Sequence, residues 1–270
     1  MIKNFLIAGD QHGNFNNLIW NIDTDVYNPK ETAIIVLGDA GINYYLNGKD
    51  NQLKNILMQS RYTFYILRGN HEERPERIKD MRMVFDDTVG NFIYMQDAWN
   101  RIKYFIDGNI YNIKNYRCLT IGGAYSVDKY YRLERGWHWF EGEQLTPKER
   151  EDIMRNIKGQ SFDFVLTHTC PFDYMPTDLF LASVDQSTVD NSTEHWLQDE
   201  VLANINYNVW LFGHFHDDRL VRPHMEMYFC HYDEIDYIYN NHMNNTHGYW
   251  RKKDPKYYYD DNPWSEKENN

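Results

Sequence analysis

Cysteine is scarce in this chain: only Cys118, Cys170 and Cys230, widely scattered among 270 residues. An odd, dispersed set builds no disulfide framework and suits a reducing compartment, so the cytoplasm is the expected location. Long apolar runs are missing as well. The opening MIKNFLIAGDQHG has too short an apolar stretch for a signal peptide, and no later run approaches the roughly 20 residues of a spanning helix, so no membrane partner is expected. Positive charge is in deficit, with 28 Lys and Arg against 40 Asp and Glu and a formal net charge of −12. There is no Lys/Arg-rich stripe, so the overall field disfavours nucleic acid unless a bound cation reverses it locally. Internal repeats and long linkers are also absent.

Apolar material is plentiful. Hydrophobic residues make up 42% and aromatic residues 16% of the chain, enough to fold around a core without disulfides or structural metals. Lys3 to Gly9 reads as a short strand, followed by a helix in which Phe15, Leu18, Ile19 and Ile22 recur at helical spacing. The pattern repeats as AIIVLGD, then a helix with Leu53, Ile56 and Leu57 on one face, then YTFYILRGN. Strands joined by helical crossovers imply a parallel sheet. From Asn91 shorter β-type runs take over, with a turn signal at Asp107-Gly108, and read as hairpins joining a second sheet. Tyr125 to Gly142 has no clean period and reads as a long functional loop. Thr146-Pro147 with Glu149 opens a helix with a capping box, and FDFVLTH and NVWLFGH are two further buried strands separated by a helix around TEHWLQDEVLANI. The chemistry-bearing part is one α/β domain over residues 1–240, with a polar, Tyr/Asn-rich tail over 241–270.

Five of these apolar runs end in the same kind of chemistry. The first ends in GDQHG with Asp10 and His12, the second in GDAG with Asp39, and the third in GNHE with Asn70 and His71. The later two end in THTCP with His168 and GHFH with His214 and His216. Any one cluster is ordinary turn chemistry. Five strands delivering carboxylate, imidazole and amide groups to one edge point to a pair of divalent cations, since such ions accept mixed N/O ligands and one carboxylate can bridge two of them. Gly9, Gly38, Gly69 and Gly213 would permit close backbone approach, and the i, i+2 spacing of Asp10 with His12 and of His214 with His216 would put each pair on one side of an extended segment.

The ordered set GDQHG, GD, GNHE, TH and GHFH resembles the calcineurin-like metallophosphoesterase superfamily over Asp10 to His216. The resemblance implies a four-layer α/β/β/α sandwich of two mixed sheets flanked by helices, and a binuclear site that hydrolyses phosphate mono- or diesters by attack of a metal-bridging hydroxide. By matching motif, Asp10, His12, Asp39 and His216 would hold one metal and Asp39, Asn70, His168 and His214 the other, with Asp39 as bridge and His71 as the catalytic non-ligand histidine. Mn²⁺ is the expected ion, with Fe, Zn or Ni as alternatives. Strict protein Ser/Thr phosphatases of the superfamily read GDxVDRG at the second motif, whereas this chain reads GDAGINY, with Ile42 and Asn43 in place of the Asp and Arg. The chain is therefore more similar to bacterial and phage-like branches, and a small phosphate ester is the expected substrate.

Phosphate recognition needs other cations. Arg68 is one candidate, with an ion pair to Glu72 or Asp86 as its structural alternative, and Arg132 and Arg135 in the aromatic loop are two more. Trp137, Trp139 and Phe140 could stack a nucleobase or simply pack the loop, and Cys170, two residues past His168, reads as a buried bystander thiol. Two competing functions share these residues: a nuclease or nucleotide phosphodiesterase of the same fold, disfavoured by the acidic balance, and a non-catalytic scaffold for protein binding, disfavoured because no candidate ligand has been lost.

Overall fold

The computed structural model describes residues 1–244. The strands in chain order are β1 (Asn4–Ala8), β2 (Thr32–Val36), β3 (Thr63–Ile66), β4 (Met81–Asp86), β5 (Asn91–Gln96), β6 (Ile102–Tyr104), β7 (Ile110–Ile113), β8 (Tyr116–Ile121), β9 (Ser161–Thr167), β10 (Asn206–Phe212), β11 (Arg219–Arg222), β12 (Met225–Met227) and β13 (Tyr232–Glu234). The helices are α1 (Asn16–Asn21), α2 (Gly48–Ser60), α3 (Lys129–Glu134), α4 (Pro147–Ile157), α5 (Ser192–Trp196), which continues as a π-turn over Leu197–Leu202, and α6 (Ile235–Met243). A seven-stranded sheet has the order β13-β1-β2-β3-β6-β5-β4, and a six-stranded sheet has the order β11-β12-β10-β9-β8-β7. As expected, β1, β2 and β3 are mutually parallel, and so are β8, β9 and β10.

Side-chain alternation builds the layers. Phe5 and Ile7 of β1 and Ala33 and Ile35 of β2 face the second sheet, where Phe164, Leu166, Val209 and Leu211 meet them. The intervening Leu6, Ala8, Ile34 and Val36 point the other way, onto Leu18 of α1 and Leu57 of α2. In the second sheet Val165, Trp210 and Phe212 take the outer face and are covered by Ile153, Ile157, Trp196 and Val201. Strands buried on both faces explain the unbroken apolar runs, and each fully buried Leu, Ile or Phe contributes roughly 1.5–3 kcal/mol. Both mixed sheets thus lie between helical layers, as the sandwich expectation required. Thr146 and Glu149 form the expected capping box at the start of α4, worth about 1 kcal/mol. Among the described residues no helix is long and apolar enough to cross a membrane.

Several local expectations change. In α2, Leu57 is buried but Ile56 is 48% exposed, and the inward positions are completed by Asp50 and Lys54. The Asp107-Gly108 turn is not a hairpin: it carries the chain from β6 in one sheet to β7 in the other. Tyr125 to Gly142 contains the short helix α3. The boundary placed at residues 240/241 falls inside α6, where His242 is buried against Glu226, and the rest of the anticipated tail lies outside the described residues.

Candidate metal centre

All eight candidate residues follow the carboxyl ends of parallel strands: Asp10 and His12 after β1, Asp39 after β2, Asn70 and His71 after β3, His168 after β9, and His214 and His216 after β10. Register aligns those ends, pairing Ala8 with Val36 and Val36 with Ile66 in one sheet and Leu166 with Leu211 in the other. The expected extended geometry of the i, i+2 pairs does not hold. His12, Asp39, His214 and His216 adopt φ of 46°, 46°, 71° and 55°, so the chain kinks through the left-handed region to turn these side chains inward. Such backbone is uncommon outside glycine and costs on the order of 1–3 kcal/mol per residue, a cost found where a site requires it. Close approach is the other device. A Cβ on Gly69 would lie 1.9 Å from Asp39 Oδ1, and one on Gly213 would lie 2.3 Å from Asp10 Oδ1.

Two donor groups result. Around Asp10 Oδ2, His216 Nε2 stands at 3.3 Å and His12 Nε2 at 3.8 Å, with the two imidazole nitrogens 2.9 Å apart. In the other group Asn70 Oδ1 lies 2.8 Å from His168 Nε2 and 3.1 Å from His214 Nδ1, and His168 Nε2 is 3.6 Å from Asp39 Oδ1. Donor atoms of Asp10, His12 and His216 all lie within 4.8 Å of one another, as do those of Asp10, Asp39 and His168. Asp10, rather than the expected Asp39, is the member common to both triplets.

Three observations show that these residues fit cations. First, one oxygen of each carboxylate is tied down: Asp10 Oδ1 accepts the His214 N–H at 3.0 Å and Asp39 Oδ1 accepts the His71 N–H at 2.9 Å. Of the other oxygens, Asp39 Oδ2 is buried without a hydrogen-bond partner, and Asp10 Oδ2 is buried with the His216 imidazole at 3.3 Å beside it. A buried carboxylate oxygen with so little compensation is costly, and a cation would relieve that cost. Second, His168 Nδ1 lies 2.8 Å from the Leu37 carbonyl, which can only accept. A ring proton therefore sits on Nδ1, and in that tautomer the Nε2 lone pair confronts the Asn70 oxygen, a pairing that a cation between them would satisfy. Third, the protonation states of Asp10, Asp39, His12 and His214 suit coordination. Burial opposes ionisation of Asp39, but His71, His168 and His12 outweigh it and hold its carboxyl well below the usual range. Asp10 behaves likewise, burial being overcome by His216 and His168. Burial pushes His12 down to about 4 and His214 down to about 3, keeping both imidazoles neutral. His216 is the exception: burial is outweighed by the hydrogen bond to Asp10, which raises its pKa, so a cation would have to displace that proton. His71 is lowered by burial against the pull of Asp39, whose Oδ2 lies 3.8 Å from its Nε2.

The arginines are placed differently from one another. Arg68 is 3% exposed, and Nε binds Asp107 at 2.9 Å while the terminal nitrogens donate to the carbonyls of Gly122, Gly142 and Glu143. Its fork is committed to the scaffold, with Asp107 in place of the anticipated Glu72 or Asp86, and the substrate-gripping expectation for Arg68 is withdrawn. Arg132 is 2% exposed, bound through Nε to Asp128 at 2.7 Å and through Nη1 to the Tyr44 hydroxyl at 3.1 Å. It reaches His71 through its field, together with Asp128, rather than through an exposed donor. Arg135 is exposed, its guanidinium 4.4 Å from the Tyr131 ring and 5.8 Å from that of Trp137. Phe140 is buried next to Tyr44 and stacked on His138, which favours loop packing over base stacking. Ile42 and Asn43 are 0% and 1% exposed, so neither side chain reaches a substrate. Cys170 is a fully buried thiol whose pKa burial drives well up.

Sequence reading missed three neighbours of the site. Ser126 Oγ meets Asn70 Nδ2 at 2.9 Å, and Glu143 binds Ser126 in turn. The Phe229 ring stacks on His216 with centroids 4.8 Å apart. None of these is signalled by spacing, because each lies on a loop far in sequence from the residue it touches.

No curated protein matches the chain. A family model described as calcineurin-like phosphoesterase matches residues 3–218, a span that contains every donor named above. On that match, with the two-sheet fold and the clustered Asp, His and Asn donors, the chain belongs to the calcineurin-like phosphoesterase family.

Proposed function

We propose that the protein hydrolyses a small phosphate ester, mono- or diester, at a binuclear metal site. The carrying observation is the clustering of buried Asp10 and Asp39 with the imidazoles of His12, His168, His214 and His216, Asp39 Oδ2 being buried without a hydrogen-bond partner. Asp10, His12 and His216 would hold one cation, and Asn70, His168 and His214 the other. Asp39 is assigned as bridge by its place in the GD motif of the family, with Asp10, which lies in both donor triplets, as the alternative bridge. When bound, such ions act as Lewis acids that lower the pKa of water and neutralise phosphoryl oxygens.

The chain's own groups supply the rest. His71, whose backbone N–H is fixed by Asp39, is the residue we assign to protonate the departing alkoxide, a contribution of ~10²–10⁴-fold; the pull of Asp39 on its ring opposes the lowering by burial. Asp128 and Arg132 set the field around that ring with opposite signs. Arg135, exposed on its aromatic shelf, is the proposed outer contact for the substrate. The replacement of the protein-phosphatase Asp and Arg by Ile42 and Asn43 supports a small ester over a phosphoprotein.

The direct test is metal content after reconstitution with Mn²⁺, alongside turnover of p-nitrophenyl phosphate and bis-p-nitrophenyl phosphate before and after chelation. Two equivalents and chelator-sensitive turnover are expected. Trace metal with no Mn²⁺-dependent turnover would remove the proposal.

A further inference from the structure

An amide ligand has a problem that a carboxylate does not: only one of its two ends can face a cation. At Asn70 the choice is made by the aromatic loop. The side chain is 1% exposed, with one end 2.9 Å from Ser126 Oγ and the other 2.8 Å from His168 Nε2 and 3.1 Å from His214 Nδ1. The Ser126 hydroxyl lies 2.5 Å from Glu143 Oε2, and the Ser126 N–H donates to Glu143 Oε1 at 3.2 Å. Glu143, Ser126 and Asn70 are 3%, 1% and 1% exposed, so no solvent intervenes to blur the donor and acceptor roles.

Those roles follow in sequence. Burial raises the Glu143 pKa against the two hydrogen bonds from Ser126; in its ionised form Glu143 accepts only, so the Ser126 hydroxyl proton points to it. The lone pairs of Ser126 Oγ then face Asn70, which must present its NH₂ group there. The Asn70 oxygen is left facing His168 and His214. We propose that Ser126 and Glu143 are positioning residues that lock the Asn70 amide with its oxygen toward the second cation. This rests on the binuclear reading above and assigns that cation's affinity partly to a loop which contributes no ligand of its own. Outer partners of this kind typically change metal affinity by ~10–100-fold.

The locking can be reversed with little change in shape. In Glu143→Gln the new amide can donate to Ser126 Oγ, which turns the hydroxyl proton toward Asn70 and favours the flipped amide. Ser126→Ala removes the acceptor, whereas Ser126→Thr keeps it. Mn²⁺ uptake by the full chain, followed by isothermal titration calorimetry, reads the effect without reference to turnover, and circular dichroism of the metal-free variants checks folding. The expected result is one unchanged site in Glu143→Gln and Ser126→Ala and a second site weakened ~10–100-fold, with Ser126→Thr restoring both. Because the two weakened variants act on different atoms, either one alone suffices if the other fails to fold. Wild-type affinity at both sites in a folded Glu143→Gln or Ser126→Ala variant overturns the positioning role and leaves the binuclear reading standing. A wild-type chain that takes up no cation overturns both.

Discussion

Asp39 holds His71 from two directions: its Oδ1 accepts the His71 backbone N–H at 2.9 Å, and its Oδ2 lies 3.8 Å from His71 Nε2. The carboxylate and the histidine nevertheless have separable roles. Asp39→Asn is expected to weaken uptake of both metals. His71→Ala should leave metal content near the wild-type value and lower kcat by ~10²-fold or more. Metal analysis beside steady-state kinetics decides this, and a His71→Ala protein that loses its metal would make His71 a ligand.

Arg68→Lys should destabilise the fold by on the order of 2–3 kcal/mol. A lysine cannot reproduce a fork shared among Asp107 and three carbonyls, and it leaves buried acceptors unsatisfied. Urea unfolding checks it; an unchanged midpoint would show that the fork contributes little.

Gly69→Ala is expected to abolish metal uptake, because the new methyl would stand 1.9 Å from Asp39 Oδ1 and 2.2 Å from its backbone nitrogen. Gly48→Ala serves as control. That position opens α2 with no atom within 4 Å of the added carbon, so neutrality or a gain of ~0.4–1 kcal/mol is expected. Equal metal content in both variants would contradict the close-approach argument.

Alkaline pH should loosen the segment beside His216. Burial pushes His231 down, but Asp218 at 2.6 Å and Asp233 at 3.3 Å outweigh it and raise its pKa from 6.5 to about 10. A proton held more tightly in the folded state stabilises it. That contribution is complete below pH 6.5 and is lost as pH rises to about 10. Tm measured from pH 6 to pH 10 should fall less steeply in His231→Gln than in wild type; parallel curves would refute the linkage.

Substrate choice is tested at Arg135. Arg135→Ala should raise KM for an aryl phosphate several-fold at constant metal content, consistent with an exposed contact in high dielectric. A phosphopeptide should be the poorest substrate of a panel that also holds nucleotides and aryl diesters. Unchanged kinetics together with preferred phosphopeptide hydrolysis would reverse this reading.

The strand ends were legible because burial on both faces leaves continuous apolar runs, and a polar cluster after each one marks where the backbone leaves the core. Hence Asp10, Asp39, Asn70, His168 and His214 could be named from order alone. Their approach angles could not, since φ at His12 and His216 is set by tertiary demand and not by local preference. The fate of Arg68 was hidden for a related reason: its acceptors are main-chain carbonyls at residues 122, 142 and 143, which carry no side-chain signature. Ile56 misled because a helix with charged inward positions such as Lys54, bound to Gln96, does not obey a purely apolar face.

The Arg68 fork grips the chain at Gly122 and again at Gly142 and Glu143, so a single side chain closes the neck of the excursion over residues 123–141. With the neck fixed, the outer part of that excursion becomes an interchangeable cassette. Provided that Ser126, Asp128 and Arg132 are kept, the remainder of the tip can be lengthened, shortened or replaced at little entropic cost while the metal-donor cluster beneath stays in register. The neck thereby separates changes at the exposed tip, where Arg135 lies, from the position of the donor cluster.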